Sequence, residues 1–329
     1  MTISRRQLVR LAAGVAALPA ISRKAQAQGQ TQAYPTRPVR IIVGFAAGGS
    51  TDVTGRLIAQ WLSERLGQPF VMENRPGAGT NIGTDAVVNA PADGYTLLFV
   101  TPANAINATL YDKLPFDFMR DIAPVSGIMR VPNVMQVHPT FPAATVAELI
   151  AYAKANPGKL SHASAGIGTS SHLAGELFKA MTGIQAVHVP YRGNAPALTD
   201  LLSGQVQLGF ESMPSSVEYI RSGRMRALGI STATRSKALP DIPTIGEIVP
   251  GYESSPFYGI GAPKGTPRDI VELLNREINA GLVDPKLNAR LADLGGMMLQ
   301  GSAADFGKLI AAETEKWGRV IRAANIKGQ

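Results

Sequence analysis

The feature that most constrains this chain is a repeated unit in which a short β-branched strand leads into a loop and then into a helix. The first copy consists of the strand Pro38 to Val43, a Gly/Ala loop, and an amphipathic helix from Asp52 to Leu66. Further copies have strands at Phe70 to Glu73 and Tyr95 to Thr101. Alternating strands and helices predict a parallel sheet with helices on both faces, and therefore an α/β fold.

A second set of units begins near Val134. Its helix Val146 to Ala155 ends at Asn156-Pro157-Gly158, because proline cannot continue a helix and glycine tolerates a left-handed cap. A strand at Leu160 to Ala163 and a helix ending at Met181 follow. Two segments after strands, Pro102 to Asn107 and Pro190 to Pro196, are predicted to be loops.

The predicted domains follow from the chain length of 329 residues, which suits two domains. The last third offers one clear strand and two helices, too little for a third domain. We therefore predict that residues 28–130 and 256–329 together form domain 1 and that residues 131–255 form domain 2. The crossovers lie near Met129 to Asn133 and Glu253 to Pro256.

The first 27 residues have the organisation of a signal peptide. Arginines precede an apolar run from Leu11 to Ile21, and the segment closes with Ala25-Gln26-Ala27. The run is too short to span a bilayer. The pair Arg5-Arg6 is typical of twin-arginine signals, although such pairs also occur in ordinary signal peptides. We expect an exported, periplasmic protein cleaved near Ala27.

The charge and cysteine content of the chain exclude several classes of function. The signal segment carries five of the 32 basic residues and no acidic ones, which leaves 27 against 24 and a net charge of +3. This small excess and the lack of basic clusters with aromatics argue against nucleic-acid binding. With no cysteine there is no disulfide, thiolate nucleophile or lipid-modified cysteine.

The loop from Gly44 to Asp52 is the most informative segment. It joins a strand to a helix, so four helix-start amides and the positive end of the dipole are available to an anion without any lysine or arginine. The alternative is an ordinary tight turn in which Thr51 or Asp52 caps the helix. The candidate ligand-binding residues here are Phe45, Ala47, Gly49, Ser50, Thr51 and Asp52.

A second loop of the same kind, Gly166 to Ser171, stands in the second half of the chain. Because ligands of open α/β sheets bind at the carboxyl ends of strands, the two loops can face each other across a cleft and hold a small carboxylate. Other candidates come directly after predicted strands, where each is also a common turn residue. The candidates from this part of the site are Thr101, Asn104, Gly168, Thr169, Ser170, Tyr191, Gly193 and Asn194.

Enzymatic alternatives find little support in the sequence. The chain contains no P-loop, and the loop Gly77 to Gly83 has the wrong spacing for a dinucleotide fingerprint. The histidines lack the spacing of a metal site, so we expect neither cofactor nor metal. The remaining rival is a hydrolase that pairs Ser170 with His162 or His172 beside the second glycine loop, although histidines that serve the fold are commoner.

Taken in order, the segments resemble the Bug family of extracytoplasmic solute-binding receptors of tripartite tricarboxylate transporters, and the similarity covers essentially the whole mature chain. The matching strings include YPTRPVRIIVGFAAGGSTDVTGRLIAQW, ADGYTLLFVT, SAGIGTSSHLAGELF and VPYRGNAPALTDLLSGQV. The resemblance implies a two-domain periplasmic-binding-protein fold of type II with the ligand cleft between the domains. It also implies that loops matching Phe45 to Asp52 and Gly168 to Ser170 grip a carboxylate.

By the same resemblance the protein is expected to be a non-enzymatic monomer that delivers its ligand to membrane subunits or to a sensor protein. One segment departs from the family pattern, because Gln207 stands where many members carry an acidic residue. The strand then ends in Glu211-Ser212-Met213. Glu211 either lies at the cleft edge and bonds an amino or hydroxyl group of the ligand, or caps a helix.

Overall fold

A computed structural model of the chain describes residues 34–111, 113–323 and 326. The signal peptide predicted for residues 1–27 lies outside the described residues, and so does the cleavage site near Ala27. In the part that is described, no helix is both long enough and apolar enough to cross a membrane.

The elements up to the first crossover are β1 (Val39–Val43), α1 (Ser50–Leu66), β2 (Phe70–Asn74), a 3₁₀ turn (Ala78–Thr80), α2 (Asn81–Val88), β3 (Thr96–Val100), α3 (Pro102–Leu110), α4 (Phe118–Asp121) and β4 (Ile122–Arg130). The middle of the chain forms β5 (Asn133–Val137), α5 (Val146–Ala155), β6 (Ser161–Ser164), α6 (Ser170–Thr182), β7 (Val187–Pro190), α7 (Asn194–Leu202), β8 (Leu208–Ser212), α8 (Met213–Arg221) and β9 (Arg226–Ile230). After a 3₁₀ turn (Ile245–Glu247), the last elements are β10 (Phe257–Pro263), α9 (Arg268–Val283), α10 (Pro285–Asp293), β11 (Met297–Met298) and α11 (Ala303–Ala323).

These strands form two sheets within the described residues. The first has the order β11-β4-β10-β3-β1-β2 and the second has the order β7-β6-β8-β5-β9. The chain passes from the first sheet to the second between β4 and β5, and it returns between β9 and β10. These passages fall where the crossovers are predicted, while the domain boundaries at 130/131 and 255/256 stay a prediction.

The predicted parallel pairing holds for only part of each sheet. In the first sheet β1 is parallel to β2 and β3, but β10 runs antiparallel to both β3 and β4. In the second sheet β6 is parallel to β7 and β8, whereas β5 is antiparallel to β8 and β9. The antiparallel strands β4, β5 and β10 flank the passages between the sheets, where no helix intervenes to reverse the chain direction.

Two predicted loops are also corrected. The segment that begins at Pro102 is the helix α3, because Thr101 and Asn104 satisfy its first turn and proline fits the first helical position. Helix α7 begins at Asn194, inside the second predicted loop. The strand β4 was not predicted, and it pairs with β10 along its whole length through two register shifts.

The core explains why the first strand–loop–helix unit is held in place. Strand β1 buries Val39, Ile41, Ile42 and Val43, because helices cover the parallel part of the sheet. Helix α1 ends at Gly67, whose φ of 71° places it in the left-handed region and whose amide donates to the carbonyl of Ser63. The loop between β1 and α1 is therefore anchored at both ends.

Candidate functional site

Five helices begin around one small cavity between the two sheets. The cavity has a volume of about 20 Å³, and its lining is Phe45, Thr51, Thr101, Pro102, Ala103, Ala165, Thr169, Ser170, Asn194, Ser212 and Tyr258. Each of the helices α1, α3, α6, α7 and α8 places its N-cap or a first-turn residue there. None of these lining residues carries a full charge, so the polar groups offered are hydroxyls, an amide and helix-start N–H groups. The positive ends of helix dipoles favour an anion.

The first glycine loop is tied across the cavity through Ser50. This fully buried serine donates from Oγ to Oδ1 of Asn194 at 3.1 Å, and its Oγ lies 2.8 Å from the hydroxyl of Tyr258. Asn194 belongs to α7 beside the second sheet, whereas Tyr258 belongs to β10 in the first. Ser50 therefore connects the two halves, which its position in a glycine loop did not reveal.

Asp52 stabilises its own loop. Its Oδ2 accepts from the amide of Gly48 and from Nε of Arg56, both at 3.0 Å. Burial alone would raise the pKa of Asp52, but these hydrogen bonds outweigh it and hold the pKa below its usual value. The ionised Asp52 therefore stabilises the first glycine loop and does not line the cavity.

The second glycine loop is braced by its hydroxyls. Thr169 caps α6 by accepting from the amide of His172, and it donates to the carbonyl of Gly166 at 2.6 Å. Gly168 has a φ of 76°, and a Cβ there would lie 2.6 Å from the Leu110 side chain on α3. Only glycine fits this close approach of the loop to the other half of the molecule. Ser170 begins α6 and lines the cavity.

The two halves also touch through their backbones. The amide of Ala46 donates to the carbonyl of Arg192 at 3.3 Å. Gly193 has a φ of 127°, and a Cβ there would lie 3.2 Å from the Ala46 amide nitrogen. A Cβ on Gly49 would lie 3.5 Å from that of Asn194. We call this the closed arrangement, in which the loops Gly44–Gly49 and Tyr191–Asn194 are in contact.

A larger groove adjoins the small cavity and shares Phe45 and Ala165 with it. Its volume is about 470 Å³, and it lies between the loop 76–80 on one side and the loops 165–167 and 190–192 on the other. Tyr191 lines this groove, but its hydroxyl donates to Asp200 at 2.5 Å. Burial and the neighbouring carboxylate raise the pKa of Tyr191 to about 12.

Eight of the predicted ligand residues line neither cavity: Ala47, Gly49, Ser50, Asp52, Asn104, Gly168, Gly193 and Glu211. Asn104 is buried and uses its side chain within the fold, accepting from Thr101 and donating to Thr84 at 2.9 Å. Ala47 is exposed at the tip of the first loop and lines neither cavity. The structure gives Asn104 a local role that joins α3 to α2, so its predicted ligand contact has no geometric support here.

Glu211 is neither at the cleft edge nor a helix cap. It lies in β8 with no exposed surface, and its Oε2 accepts from the side-chain amide of Asn194. Within the described chain its Oε1 has no hydrogen-bond partner. Burial raises the pKa of Glu211 to about 8, and the hydrogen bond from Asn194 opposes the rise.

The geometry does not support the serine–histidine pair of the hydrolase hypothesis. His172 Nδ1 accepts from the amide of Gly168 at 3.2 Å, and its Nε2 lies 3.8 Å from Glu176. The serine and histidine in hydrogen-bond contact are instead Ser164 and His188, at 2.6 Å. Ser164 is fully buried and lines neither cavity, so a substrate has no route to it. In the described residues no cluster of three metal-ligating side chains is arranged to hold an ion.

Among the polar residues that line the small cavity, two were missed at the sequence level. Tyr258 sits in the apolar strand β10, 208 residues from Ser50, and nothing in its neighbourhood marks it as a site residue. Ser212 was detectable, because Ser212-Met213-Pro214 is a helix-start signal directly after a strand.

Comparisons with known proteins identify the family of the chain. Residues 54–326 match the family described as tripartite tricarboxylate transporter family receptor. The chain belongs to this receptor family. It is 40% identical to protein BugT of Bordetella pertussis over 89% of this chain and 91% of that protein. The predicted membership in the Bug family is therefore confirmed.

Solved structures extend the match to the fold. The Rhodopseudomonas palustris protein Rpa4515, solved with adipate, is 40% identical with a TM-score of 0.87, covering 89% of this chain and 99% of that one. MatC from the same organism, with bound malate, is 30% identical with a TM-score of 0.83, covering 88% and 100%. The predicted two-domain periplasmic-binding-protein fold is confirmed, and the chain is a solute-binding receptor by family.

Proposed function

We propose that this receptor captures a small carboxylate in the cleft between its two sheets and performs no chemistry on it. The observation that carries the proposal is the convergence of five helix N-termini on one cavity whose lining has no charged side chain. The positive ends of helix dipoles and first-turn N–H groups stabilise a negative charge at such a place. The adipate and malate bound by two relatives are ligands of that class.

The closed arrangement constrains how the ligand enters. A cavity of about 20 Å³ holds roughly one water molecule, so a carboxylate must enter while the halves are apart. One carboxylate group would then meet the helix starts, and the rest of the molecule would extend toward the larger groove beside Tyr191 and Arg192. The binding residues best supported by position are Phe45, Thr51, Thr101, Thr169, Ser170, Asn194, Ser212 and Tyr258.

The cellular setting is proposed from the family and the N-terminal sequence. The protein is exported to the periplasm with cleavage near Ala27, and Arg5-Arg6 favours the twin-arginine route. There it works as a monomer that passes its ligand to the membrane subunits of a tripartite transporter or to a sensor protein.

A charge placed at one helix start tests the proposal. Ser170 lines the cavity and begins α6, so Ser170→Asp adds a negative charge beside the bound carboxylate, while an acidic residue remains favourable for the helix itself. Like charges in contact cost several kcal/mol, so affinity for adipate or malate should fall by about 100-fold. Ser170→Asn has similar size without the charge and should stay within about tenfold of wild type. Isothermal titration calorimetry measures both.

The same ligands distinguish a receptor from a hydrolase. Adipate or malate at about 100 times its dissociation constant should raise the free energy of unfolding of the protein by about 2.7 kcal/mol without being consumed. Turnover of an ester, amide or phosphate that disappears in Ser170→Ala would contradict the proposal. So would equal affinities in Ser170→Asp and wild type.

A further inference from the structure

A chain of buried hydrogen bonds runs from Tyr258 through Ser50 and Asn194 to Glu211. Tyr258 and Ser50 belong to the first half of the molecule, and Asn194 and Glu211 belong to the second. Glu211 is the end of the chain, with one carboxyl oxygen bonded to Asn194 and the other unpartnered among the described residues. All four side chains are buried. The protons of these hydrogen bonds are therefore shared among the four groups, with Ser212, which is hydrogen-bonded to Tyr258, or with a ligand.

The proton of Ser50 is the one that matters for an anion. If Glu211 is ionised it can only accept, so Asn194 must turn its N–H toward Glu211 and its carbonyl toward Ser50. Ser50 then donates its single proton to Asn194 and has none for a carboxylate. The 3.1 Å contact from Ser50 Oγ to Asn194 Oδ1 represents this state.

Protonation of Glu211 at Oε2, the oxygen that faces Asn194, reverses the direction of these hydrogen bonds. The carboxyl O–H then donates to the carbonyl of Asn194, and the amide turns over, which changes its shape little because O and NH₂ are nearly the same size. Asn194 now donates its N–H to Ser50 Oγ. The Ser50 proton becomes available to an anion in the neighbouring cavity.

The surroundings of Glu211 favour the protonated form. A buried carboxylate with a single hydrogen bond is costly, and no ion pair of the described residues includes Glu211. Burial accordingly raises the pKa of Glu211 to about 8. Tyr258, on β10, is the titratable group that interacts with it electrostatically. The elements packed on β8 carry further titratable groups, none of them bonded to Glu211: His162, His172, Glu176, Lys179, Asp200, Glu218, Tyr219 and Arg221.

We infer that Glu211 is a positioning residue of the carboxylate site, which in its protonated form orients the Asn194 amide so that Ser50 donates to the bound carboxylate. The inference rests on the proposed function. Protonation of Glu211 also removes a second negative charge from the vicinity of the ligand. Binding therefore requires a proton on Glu211 and takes that proton up wherever the free protein has lost it.

Calorimetry with adipate from pH 6 to pH 9.5, in buffers of different ionisation enthalpy, tests this. Wild-type affinity should be constant at the acid end and fall about tenfold per pH unit above the pKa of Glu211, with uptake rising toward one proton per ligand. Glu211→Gln keeps a permanent donor toward Asn194, so its affinity should be independent of pH and its proton uptake near zero. Glu218→Gln, which changes an exposed side chain of α8, should keep the wild-type profile.

The inference is overturned if wild-type protein binds adipate at pH 9 without proton uptake, or if Glu211→Gln keeps the wild-type pH profile. Carbon-13 titration of the glutamate side-chain carboxyls in wild-type protein needs neither a ligand nor a variant. One carboxyl should titrate above pH 7, and titration of every glutamate below pH 6 also overturns the inference. Failure of wild-type protein to bind any carboxylate at pH 6, with one glutamate still titrating above pH 7, overturns instead the proposed function on which the inference rests.

Discussion

Three imidazoles are stacked next to the second glycine loop. The ring of His188 lies 4.0 Å from that of His172 and 4.9 Å from that of His162, measured between centroids. Burial, and to a smaller extent Lys179, lowers the pKa of His172 to about 4. An unfolded histidine has a pKa near 6.5, so the unfolded chain binds a proton that the folded chain refuses. The stability from this histidine is therefore complete above about pH 6.5 and is lost as the pH falls toward 4.

Replacing His172 by asparagine should flatten this pH dependence. The Oδ1 of asparagine can take the place of Nδ1 in accepting from the Gly168 amide, while the titrating group disappears. Between pH 7.5 and pH 5 the variant should lose about 2 kcal/mol less unfolding free energy than wild type. Urea unfolding at the two pH values measures the difference. His138→Asn is the control, because His138 bonds to Thr140 outside the stack. Equal losses in His172→Asn and wild type would show that His172 does not contribute.

At the residue scale, the sequence predicts the loops of the site better than the hydrogen-bond partners of its side chains. The two glycine loops were recognised because glycines, hydroxyls and a following helix are adjacent in the chain, and both loops reach the cavity. The partner of Tyr191 is Asp200, and those of Asn104 include Thr84 twenty residues away. Such pairs depend on how elements pack, which no local pattern encodes.

At the scale of elements, two helical glycines differ in whether the neighbouring side chain can move away from an added Cβ. A Cβ on Gly175 of α6 would lie 2.3 Å from Nε2 of the fully buried His162 ring. A Cβ on Gly55 of α1 would also lie 2.3 Å from its neighbour, but that atom is the terminal methyl of Met72. A methionine end can rotate away, whereas a buried ring cannot.

Alanine at these two positions should therefore change the free energy of unfolding to different extents. Gly175→Ala should lower the free energy of unfolding by about 1 to 3 kcal/mol, the range for overpacking a core. Gly55→Ala should be close to neutral, because the gain in helix propensity of about 1 kcal/mol offsets the movement of Met72. Chemical denaturation of both variants provides the comparison, and a smaller loss in Gly175→Ala than in Gly55→Ala would refute the packing argument.

The same scale shows why part of the fold escaped prediction. Helix α5 was predicted with the correct bounds, because Thr145 caps it and Asn156-Pro157-Gly158 ends it. Strand β4 was missed because Pro124, Ser126 and Gly127 interrupt its apolar pattern. Its partner β10 lies more than a hundred residues later, so the pairing that makes it a strand is not visible locally.

At the scale of the whole molecule, binding depends on closure. The two halves meet where loops of one touch helices of the other, and at one of these contacts Gly168 lies against Leu110 and Asn107 of α3. Because the closed cavity is too small to admit a carboxylate, the halves must separate and then close on the ligand. A side chain at Gly168 would obstruct closure without touching the open form.

Gly168→Ala should thus hold the receptor open. Its methyl group would lie 2.7 Å from Oδ1 of Asn107 in the closed arrangement. Gly204→Ala is a matched control, because Gly204 has a φ of 73° against 76° for Gly168, with no atom within 4 Å of its added Cβ. Both variants should lose about 1 to 2 kcal/mol of stability through the same backbone strain. Small-angle scattering should show that adipate compacts wild type and Gly204→Ala but not Gly168→Ala. The affinity of Gly168→Ala for adipate should fall by about tenfold or more, since its closed state is depopulated. Equal compaction in the two variants would mean that a side chain at position 168 does not obstruct closure.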